Sequence, residues 1–207
     1  MNRNPQSART GDRRIRQLLV AVLLTLTAVI TAALVHRAPT APAVSAPASR
    51  DKHRGPPGES DGVVLGDVTV FDDSPAAVAR LDPDLLRALR RAATTAADAG
   101  VEFHVNSGWR SPEYQRELLR RAVSEYGSER EAARWVATAE TSPHVAGDAV
   151  DIGRSAATAW LSRHGAAHGL CQIYRNEPWH YELRPEAVDG RCPQMYADPT
   201  QDPRTQQ

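Results

Sequence analysis

The 207-residue chain has little cysteine, no net charge and no internal repeat. Its two cysteines, Cys171 and Cys192, do not form a C-x-x-C pair, which argues against a cysteine-based zinc knuckle. Lysine plus arginine number 25, as do aspartate plus glutamate, so the formal net charge is +0. Without an overall positive charge the chain lacks the field that draws proteins to nucleic acid, and we expect no nucleic-acid partner.

The N-terminal residues have the features of a membrane anchor. Residues 1–16 carry five arginines, and residues 17–35 carry no charge. A helix of roughly 19 residues, at 1.5 Å per residue, nearly matches a hydrocarbon core of about 30 Å. We therefore predict a cytoplasmic basic segment, a single-pass transmembrane helix and an extracellular remainder. The alternative is secretion after signal cleavage, because "APAVSAPA" offers small-residue cleavage sites.

The chain beyond the anchor divides into a tether, a domain and a tail. Residues 36–60 are rich in proline and alanine and are predicted to be a disordered tether. We expect the folded domain over residues 61–192 and a polar tail over residues 193–207.

In an exported domain two cysteines most simply form one disulfide, and closing a loop of about 20 residues contributes roughly 3 kcal/mol.

Apolar periodicity in the domain predicts an α+β fold with helices packed against a small, mainly antiparallel sheet. "LCQIY" and "WHYEL" are predicted to be adjacent antiparallel strands, and "VVLGDVTVF" a strand pair or edge hairpin. The predicted helices cover residues 82–100, 111–127, 128–139 and 155–169, and the other predicted strands cover 101–108 and 148–152.

Two segments, "SPHVAGDAVDIG" and "NEPWHYEL", place imidazoles and carboxylates in otherwise apolar runs. His144, Asp151 and His180 supply the ligand types of a catalytic zinc site with a fourth position left for water. Gly147 allows the sharp turn that His144 and Asp151 need to converge on one ion. Glu177 is a candidate proton acceptor beside His180. The alternative for each segment alone is a pair of surface residues, because both spacings occur by chance.

Other candidate residues have simpler interpretations. His164 and His168 have i, i+4 spacing that can hold zinc, but they lack the glutamate of H-E-x-x-H, and packing or helix-end roles are favoured. His104 is expected to be a partly exposed strand residue. Arg110 follows a strand end, where it could be a surface charge or could bind a substrate carbonyl or carboxylate.

Three motifs, in order along the chain, resemble one family. Residues 107–111 match S-G-Y/W-R-S, residues 142–151 match S-x-H-x-x-G-x-A-x-D, and residues 177–180 match E-x-W-H. This pattern resembles that of the zinc D-alanyl-D-alanine carboxypeptidases, the VanY-like group. The resemblance covers roughly residues 82–183 and implies a zinc cofactor.

The resemblance also implies roles for single residues. By it, His144, Asp151 and His180 hold zinc and Glu177 is the catalytic base. Arg110 would steady the substrate carbonyl or the oxyanion. The contacts expected with the substrate besides Arg110 are Ser111, Gln115 and Trp179.

The expected function is hydrolysis of the terminal D-Ala-D-Ala bond of peptidoglycan stem peptides outside the membrane. The same zinc site would also suit a peptidoglycan endopeptidase or a D,D-dipeptidase. A binding module that grips wall peptides without cleaving them is the alternative from another class, although a purely structural zinc site needs no base such as Glu177.

Overall fold

A small antiparallel sheet lies at the centre of the fold, in a computed structural model that describes residues 55–206. Its strands are β1 (His104–Ser107), β2 (Ala149–Gly153), β3 (Leu170–Gln172) and β4 (His180–Leu183). They lie in the order β1-β2-β4-β3, and each neighbouring pair is antiparallel. With helices packed against it, this sheet confirms the predicted α+β class and the predicted pairing of "LCQIY" with "WHYEL".

Helices of very different length surround the sheet. They are α1 (Ala76–Ala79), α2 (Pro83–Ala97), α3 (Pro112–Tyr126), α4 (Glu129–Ala132), α5 (Pro143–Ala146) and α6 (Ser155–His164). Short 3-10 turns cover Glu59–Asp61, Gly165–His168, Pro185–Ala187, Pro199–Gln201 and Pro203–Thr205.

The two long helices begin at capping residues that stand at the starts of the predicted helices over residues 82–100 and 111–127. The Asp82 carboxylate accepts hydrogen bonds from the amides of Asp84 and Leu85 at 2.8 and 3.0 Å. The Ser111 hydroxyl accepts one from the Tyr114 amide at 3.1 Å. Each helix also has proline at its first position, where the missing N–H has no partner to lose.

One face of α2 packs on one face of the sheet. Leu85 and Leu89, one helical turn apart, share a buried cluster with Val105, Ile152 and Tyr181 from three different strands. Burying each such side chain contributes about 1.5–3 kcal/mol. The side chains that alternate with these along β2 and β4 point to the opposite face, where the candidate site lies.

The segment predicted to be a strand pair or hairpin over residues 63–71 does not form one. Val68 and Val70 join the core, but Thr69 makes only an isolated bridge with His104. The Asp72 carboxylate accepts from the Thr69 amide at 2.7 Å and from its hydroxyl at 2.9 Å, which turns the chain. Because the segment covers the edge of β1, His104 is buried rather than partly exposed.

Two predicted helices are shorter than expected. The helix predicted over residues 128–139 keeps its Ser128 cap but ends at Ala132 after a single turn. The helix predicted over residues 155–169 ends at His164 and continues as a 3-10 turn to His168.

The residues beyond Cys192, predicted to be a polar tail, fold against the domain. They form the last two 3-10 turns, and Asp202 is 0% exposed. The predicted disulfide is present, joining Cys171 to Cys192 with their Cα atoms 5.5 Å apart. We call residues 193–206 the C-terminal segment; the disulfide fixes its start beside β3.

The predicted N-terminal segments fall mainly outside the residues that the structure describes. The basic segment 1–16, the anchor 17–35 and the tether as far as residue 54 lie outside that range. Where the predicted tether meets the domain, Asp61 is buried and its carboxylate accepts a hydrogen bond from the Gly58 amide at 3.1 Å. Within residues 55–206, no helix has the length and the apolar character needed to cross a bilayer.

Candidate metal centre

Two adjacent strands and one tight turn bring the predicted metal ligands together. Asp151 on β2 lies directly opposite His180 on β4, so both side chains project from the same face. His144 comes from α5, which ends at Gly147 with φ +87°. A Cβ at Gly147 would lie 2.7 Å from the Arg80 carbonyl oxygen. The turn that returns the chain toward Asp151 therefore requires glycine.

The three candidate ligand atoms form a nearly equilateral triangle. His144 Nε2 lies 3.2 Å from His180 Nδ1 and 3.4 Å from Asp151 Oδ1. His180 Nδ1 lies 3.2 Å from the same Oδ1. Zinc binds nitrogen and oxygen tetrahedrally at about 2.0–2.2 Å, which separates neighbouring ligand atoms by roughly 3.3–3.6 Å. The triangle therefore fits one face of a zinc tetrahedron and leaves the fourth position for water or substrate.

Each imidazole is oriented through its other nitrogen. His144 Nδ1 lies 2.8 Å from the Gly108 carbonyl oxygen, and His180 Nε2 lies 3.2 Å from Glu182 Oε1. An acceptor at one nitrogen keeps the proton there and leaves the lone pair of the other for a metal. A Cβ at Gly108 would lie 2.0 Å from the Ala77 carbonyl oxygen, so glycine permits the close approach that aims this carbonyl.

Arg110 holds the oxygen of Asp151 that faces away from the imidazoles. Its Nη2 donates to Asp151 Oδ2 at 2.8 Å, and its Nε donates to Ser107 Oγ at 2.8 Å. Its Nη1 donates to Gln115 Oε1 at 3.2 Å, while Gln115 Nε2 donates to the Ala137 carbonyl at 2.8 Å. These contacts engage three of the five guanidinium N–H groups, and two are left for a ligand.

Burial and neighbouring charges shift the pKa values of the three candidate ligands in different directions. Burial alone would raise the pKa of Asp151, but His144 and His180 hold it well below its ordinary value. Burial lowers the pKa of His144, and the charge of Arg110 acts in the same direction. Burial also opposes protonation of His180, yet hydrogen bonds to Asp151 and Glu182 raise its pKa to about 9. Protonated His180 is therefore stabilised between these two carboxylates, and a metal bound at Nδ1 would replace the proton on that nitrogen.

Glu177 faces the same space from the turn that precedes β4. Its Oε2 lies 3.7 Å from His180 Nδ1, and the residue is buried. Burial raises the pKa of Glu177 to about 7, while the charge of His180 partly offsets the increase. A carboxyl group with this pKa, beside the ligand triangle, is suited to accept and return a proton near neutral pH.

The ligand triangle and Glu177 line a single cleft of about 470 Å³. Of the residues predicted to contact substrate, Arg110, Gln115 and Trp179 also line it, and Trp179 is partly exposed. Ser111 does not line the cleft; it is buried and its hydroxyl caps α3. The structure thus gives Ser111 a capping role.

The cleft continues away from the metal ligands along α3. Leu118, Ala122 and Tyr126, which share one face of α3, form one wall, and Trp135 and Val136 line the cleft with them. The Tyr126 and Trp135 rings stack with their centroids 5.9 Å apart. This part of the cleft therefore combines apolar and aromatic side chains with the charged Arg121 and Glu125, which also line it.

The remaining candidate residues lie outside the site. The rings of His164 and His168 pack against Trp160, with centroids 4.9 and 5.9 Å away, as the favoured packing role predicted. Among residues 55–206, only His144, Asp151 and His180 form a group of three or more side chains that could hold a metal ion.

Sequence reasoning missed two groups at the site. Glu182 could have been found, because it lies two residues beyond His180 and the two side chains must share one face of β4. No sequence pattern indicates the contact of the Gly108 carbonyl with His144, because the direction of a backbone carbonyl depends on the path of the folded chain.

Comparison with known proteins links the chain to one family. The family model described as VanY, D-alanyl-D-alanine carboxypeptidase, matches residues 78–186. A curated D-alanyl-D-alanine carboxypeptidase of Enterococcus faecalis is 33% identical over 107 residues, covering 40% of this chain and 40% of the relative. The chain thus spans less than half the length of that relative.

Two solved structures of similar fold carry related names. A structure of VanYB in complex with D-alanine-D-alanine has 29% identity and a TM-score of 0.49, covering 54% of this chain and 79% of that chain. A vancomycin resistance D,D-pentapeptidase VanY in complex with Zn(II) has 25% identity and a TM-score of 0.49, covering 58% of this chain and 79% of that chain.

Proposed function

Because this chain belongs to the VanY family of D-alanyl-D-alanine carboxypeptidases, we propose that it removes the terminal D-alanine from peptidoglycan stem peptides. Family membership makes it a metallopeptidase with zinc as cofactor. One observation carries the proposal: a triangle of three zinc-type ligand atoms and a buried carboxyl group line the same cleft.

His144, Asp151 and His180 are the residues that would hold zinc. When bound there, zinc supplies a Lewis acid that polarises the scissile carbonyl and makes water acidic enough to react near neutral pH. The Gly108 carbonyl and Glu182 keep the two imidazoles turned toward the ion.

Glu177 acts as the proton acceptor and donor. It takes a proton from the attacking water as oxygen adds to the carbonyl carbon. It then returns that proton to the amine of the departing D-alanine as the C–N bond breaks. Pro178 restricts Glu177 to extended backbone angles, which limits where the carboxyl group can point.

Arg110 stabilises negative charge on the substrate. Its contacts with Ser107, Gln115 and Asp151 fix the plane of the guanidinium at the cleft, with two N–H groups left for a substrate oxygen. A donor held in place before the reaction stabilises a developing oxyanion without having to reorganise.

The shape of the cleft supports a peptide longer than D-Ala-D-Ala. Beyond the ligand triangle it extends between α3 and Trp135, which leaves room for residues on the N-terminal side of the cleaved bond. This favours a carboxypeptidase acting on a stem peptide over a dipeptidase that accepts only two residues.

An extracellular location also fits the chain. A disulfide such as Cys171–Cys192 persists in oxidising compartments. The arginine-rich residues 1–16 and the uncharged residues 17–35 would anchor the domain to the membrane, with the tether holding it near newly made wall.

The direct test uses the full chain and a stem pentapeptide that ends in two D-alanines. We expect one D-alanine and a tetrapeptide by mass spectrometry, loss of activity with a chelator, and recovery with zinc. Release of intact D-Ala-D-Ala would contradict the proposal, because the cut would then lie one bond earlier, and cleavage of the free dipeptide alone would indicate a dipeptidase. Binding of the pentapeptide without any turnover would favour the binding module.

A further inference from the structure

The C-terminal segment reaches the metal centre through an arginine. Arg204 Nη1 donates to Glu182 Oε2 at 2.7 Å, and Arg204 Nη2 donates to Glu182 Oε1 at 3.2 Å. The same carboxylate receives the hydrogen bond of His180 Nε2 on Oε1. The guanidinium therefore holds both oxygens of the group that orients a predicted zinc ligand.

Arg204 is itself held from the other side. Its Nε lies 3.0 and 3.1 Å from the two oxygens of Asp202, and Tyr174 Oη donates to Asp202 Oδ2 at 3.0 Å. The Tyr174 ring packs against the His180 ring with centroids 5.0 Å apart. A closed circuit thus runs from His180 through Glu182, Arg204, Asp202 and Tyr174 back to His180.

The two carboxylates of this circuit are fully buried and therefore depend on their charged partners. Glu182 and Asp202 are both 0% exposed, and a buried carboxylate without a partner costs several kcal/mol. Arg184 also contacts Glu182 Oε2, at 2.5 Å, but only Arg204 spans both oxygens of Glu182 and also contacts Asp202. The rotation of the Glu182 carboxylate is therefore set mainly by Arg204.

We infer that Arg204 is a positioning residue for the zinc ligand His180, acting through Glu182. The inference rests on the proposed zinc function of the site. Arg204 lies beyond residues 78–186, the part of the chain that the family model matches, so the support comes from the C-terminal segment of this chain. Loss of a group that orients a metal ligand through hydrogen bonds typically changes metal affinity by about 10–100-fold.

The chain offers a matched control in Arg134. Arg134 Nε donates to Asp198 Oδ2 at 3.0 Å, so it too joins a buried aspartate of the C-terminal segment. The Arg134 and Arg204 side chains have similar exposure, 51% and 46%. Arg134 makes no contact with Glu182 among those described, so its loss should loosen the segment without releasing His180.

The experiment measures the zinc dissociation constant of the full chain by competition with a chelating indicator, together with thermal unfolding in excess chelator. We expect Arg204→Gln to weaken zinc binding about tenfold, and Arg134→Gln to change it less than about twofold. In a Glu182→Gln background, Arg204→Gln should have almost no further effect, because the double-mutant cycle removes the path through Glu182.

Three results would overturn the inference: zinc affinity unchanged in Arg204→Gln, equal loss in Arg134→Gln, or an undiminished effect in the Glu182→Gln background. If Arg204→Gln does not fold, Arg204→Lys retains the charge but not the paired donors. It should bind zinc more weakly than the wild type, and wild-type affinity would again contradict the inference. A wild-type chain that binds no zinc would instead contradict the proposed function.

Discussion

Asp151 and His180 are direct cross-strand partners in the antiparallel pair of β2 and β4. Their ligand atoms lie 3.2 Å apart because the sheet sets the separation of the two backbones. Two of the three candidate metal ligands are therefore positioned by main-chain hydrogen bonds. The third, His144, is positioned by the short helix and turn that precede β2. The site therefore combines two candidate ligands on paired strands with one on a turn.

Loss of any one ligand should remove the metal. In His144→Ala, Asp151→Ala and His180→Ala, two ligands remain, too few to retain zinc through purification. We expect about one zinc per wild-type chain and almost none in these variants, measured by elemental mass spectrometry. The His164→Ala/His168→Ala double variant is the control and should retain zinc; loss of zinc there with retention in His144→Ala would contradict the assigned site.

Glu177→Gln should separate catalysis from metal binding. The amide keeps the size of the side chain but cannot accept a proton from water. Zinc content should stay at the wild-type level, while kcat falls by about 10²–10⁴, or roughly 3–5 kcal/mol of barrier. Glu140→Gln, an exposed carboxyl group outside the cleft, should leave kcat unchanged. Normal turnover in Glu177→Gln would remove Glu177 from the mechanism.

Gly147→Ala should destabilise the turn that delivers His144. The left-handed conformation alone costs a non-glycine residue about 1–2 kcal/mol, and overlap with the Arg80 carbonyl adds about 1–3 kcal/mol. Gly66→Ala is the matched control, because Gly66 has a similar φ of +78° but a Cβ there would have nothing within 4 Å. Chemical denaturation should therefore show a larger loss for Gly147→Ala, and equal losses would mean that the close contact is not important.

Trp135→Ala should affect long peptides more than short ones. Trp135 lines the cleft beside α3, and burying roughly 50 Å² of apolar surface against the stem of a bound peptide would contribute about 1.3 kcal/mol. We expect kcat/KM for the stem pentapeptide to fall about tenfold, with little change for N-acetyl-D-Ala-D-Ala. Phe71→Ala, another exposed aromatic but outside the cleft, is the control. An equal fall for both substrates would instead indicate a general effect on the fold.

Removing the disulfide should lower stability without abolishing the site. The Cys171→Ser/Cys192→Ser double variant frees a loop with a sequence separation of 21 residues, which should cost about 3 kcal/mol of unfolding free energy. Denaturant unfolding of the wild type with and without reductant should show the same difference. Equal unfolding midpoints under the two conditions would show that the bridge contributes little.

Local patterns in the sequence predicted the parts of the molecule that local forces determine. The Asp82 and Ser111 caps, the alternation along β2 and β4, and the turn at Gly147 are each fixed by a few neighbouring residues. The candidate ligands were chosen because they lie in such segments and match the motifs of a known family, and the fold brings their ligand atoms together.

The parts that were missed depend on distant contacts. Residues 63–71 have strand-like composition, but their path is set by the edge of β1 and by the Asp72 turn. The C-terminal segment is polar, and its burial follows from contacts with distant residues, such as the ion pair between Arg204 and Glu182, that no local pattern reveals. Polarity alone therefore predicted a tail where the fold has a segment packed against the domain.

The alternation along β4 also determines which changes in chain length the fold can accept during evolution. His180 and Glu182 face the candidate metal centre, while Tyr181 between them lies in the core. Inserting one residue within β4 would exchange these faces and place a tyrosine where a ligand belongs. Insertions in the connections outside the strands leave that alternation intact. Homologous chains can therefore differ in the length of the connections between strands, whereas the number of residues within β4 must stay constant.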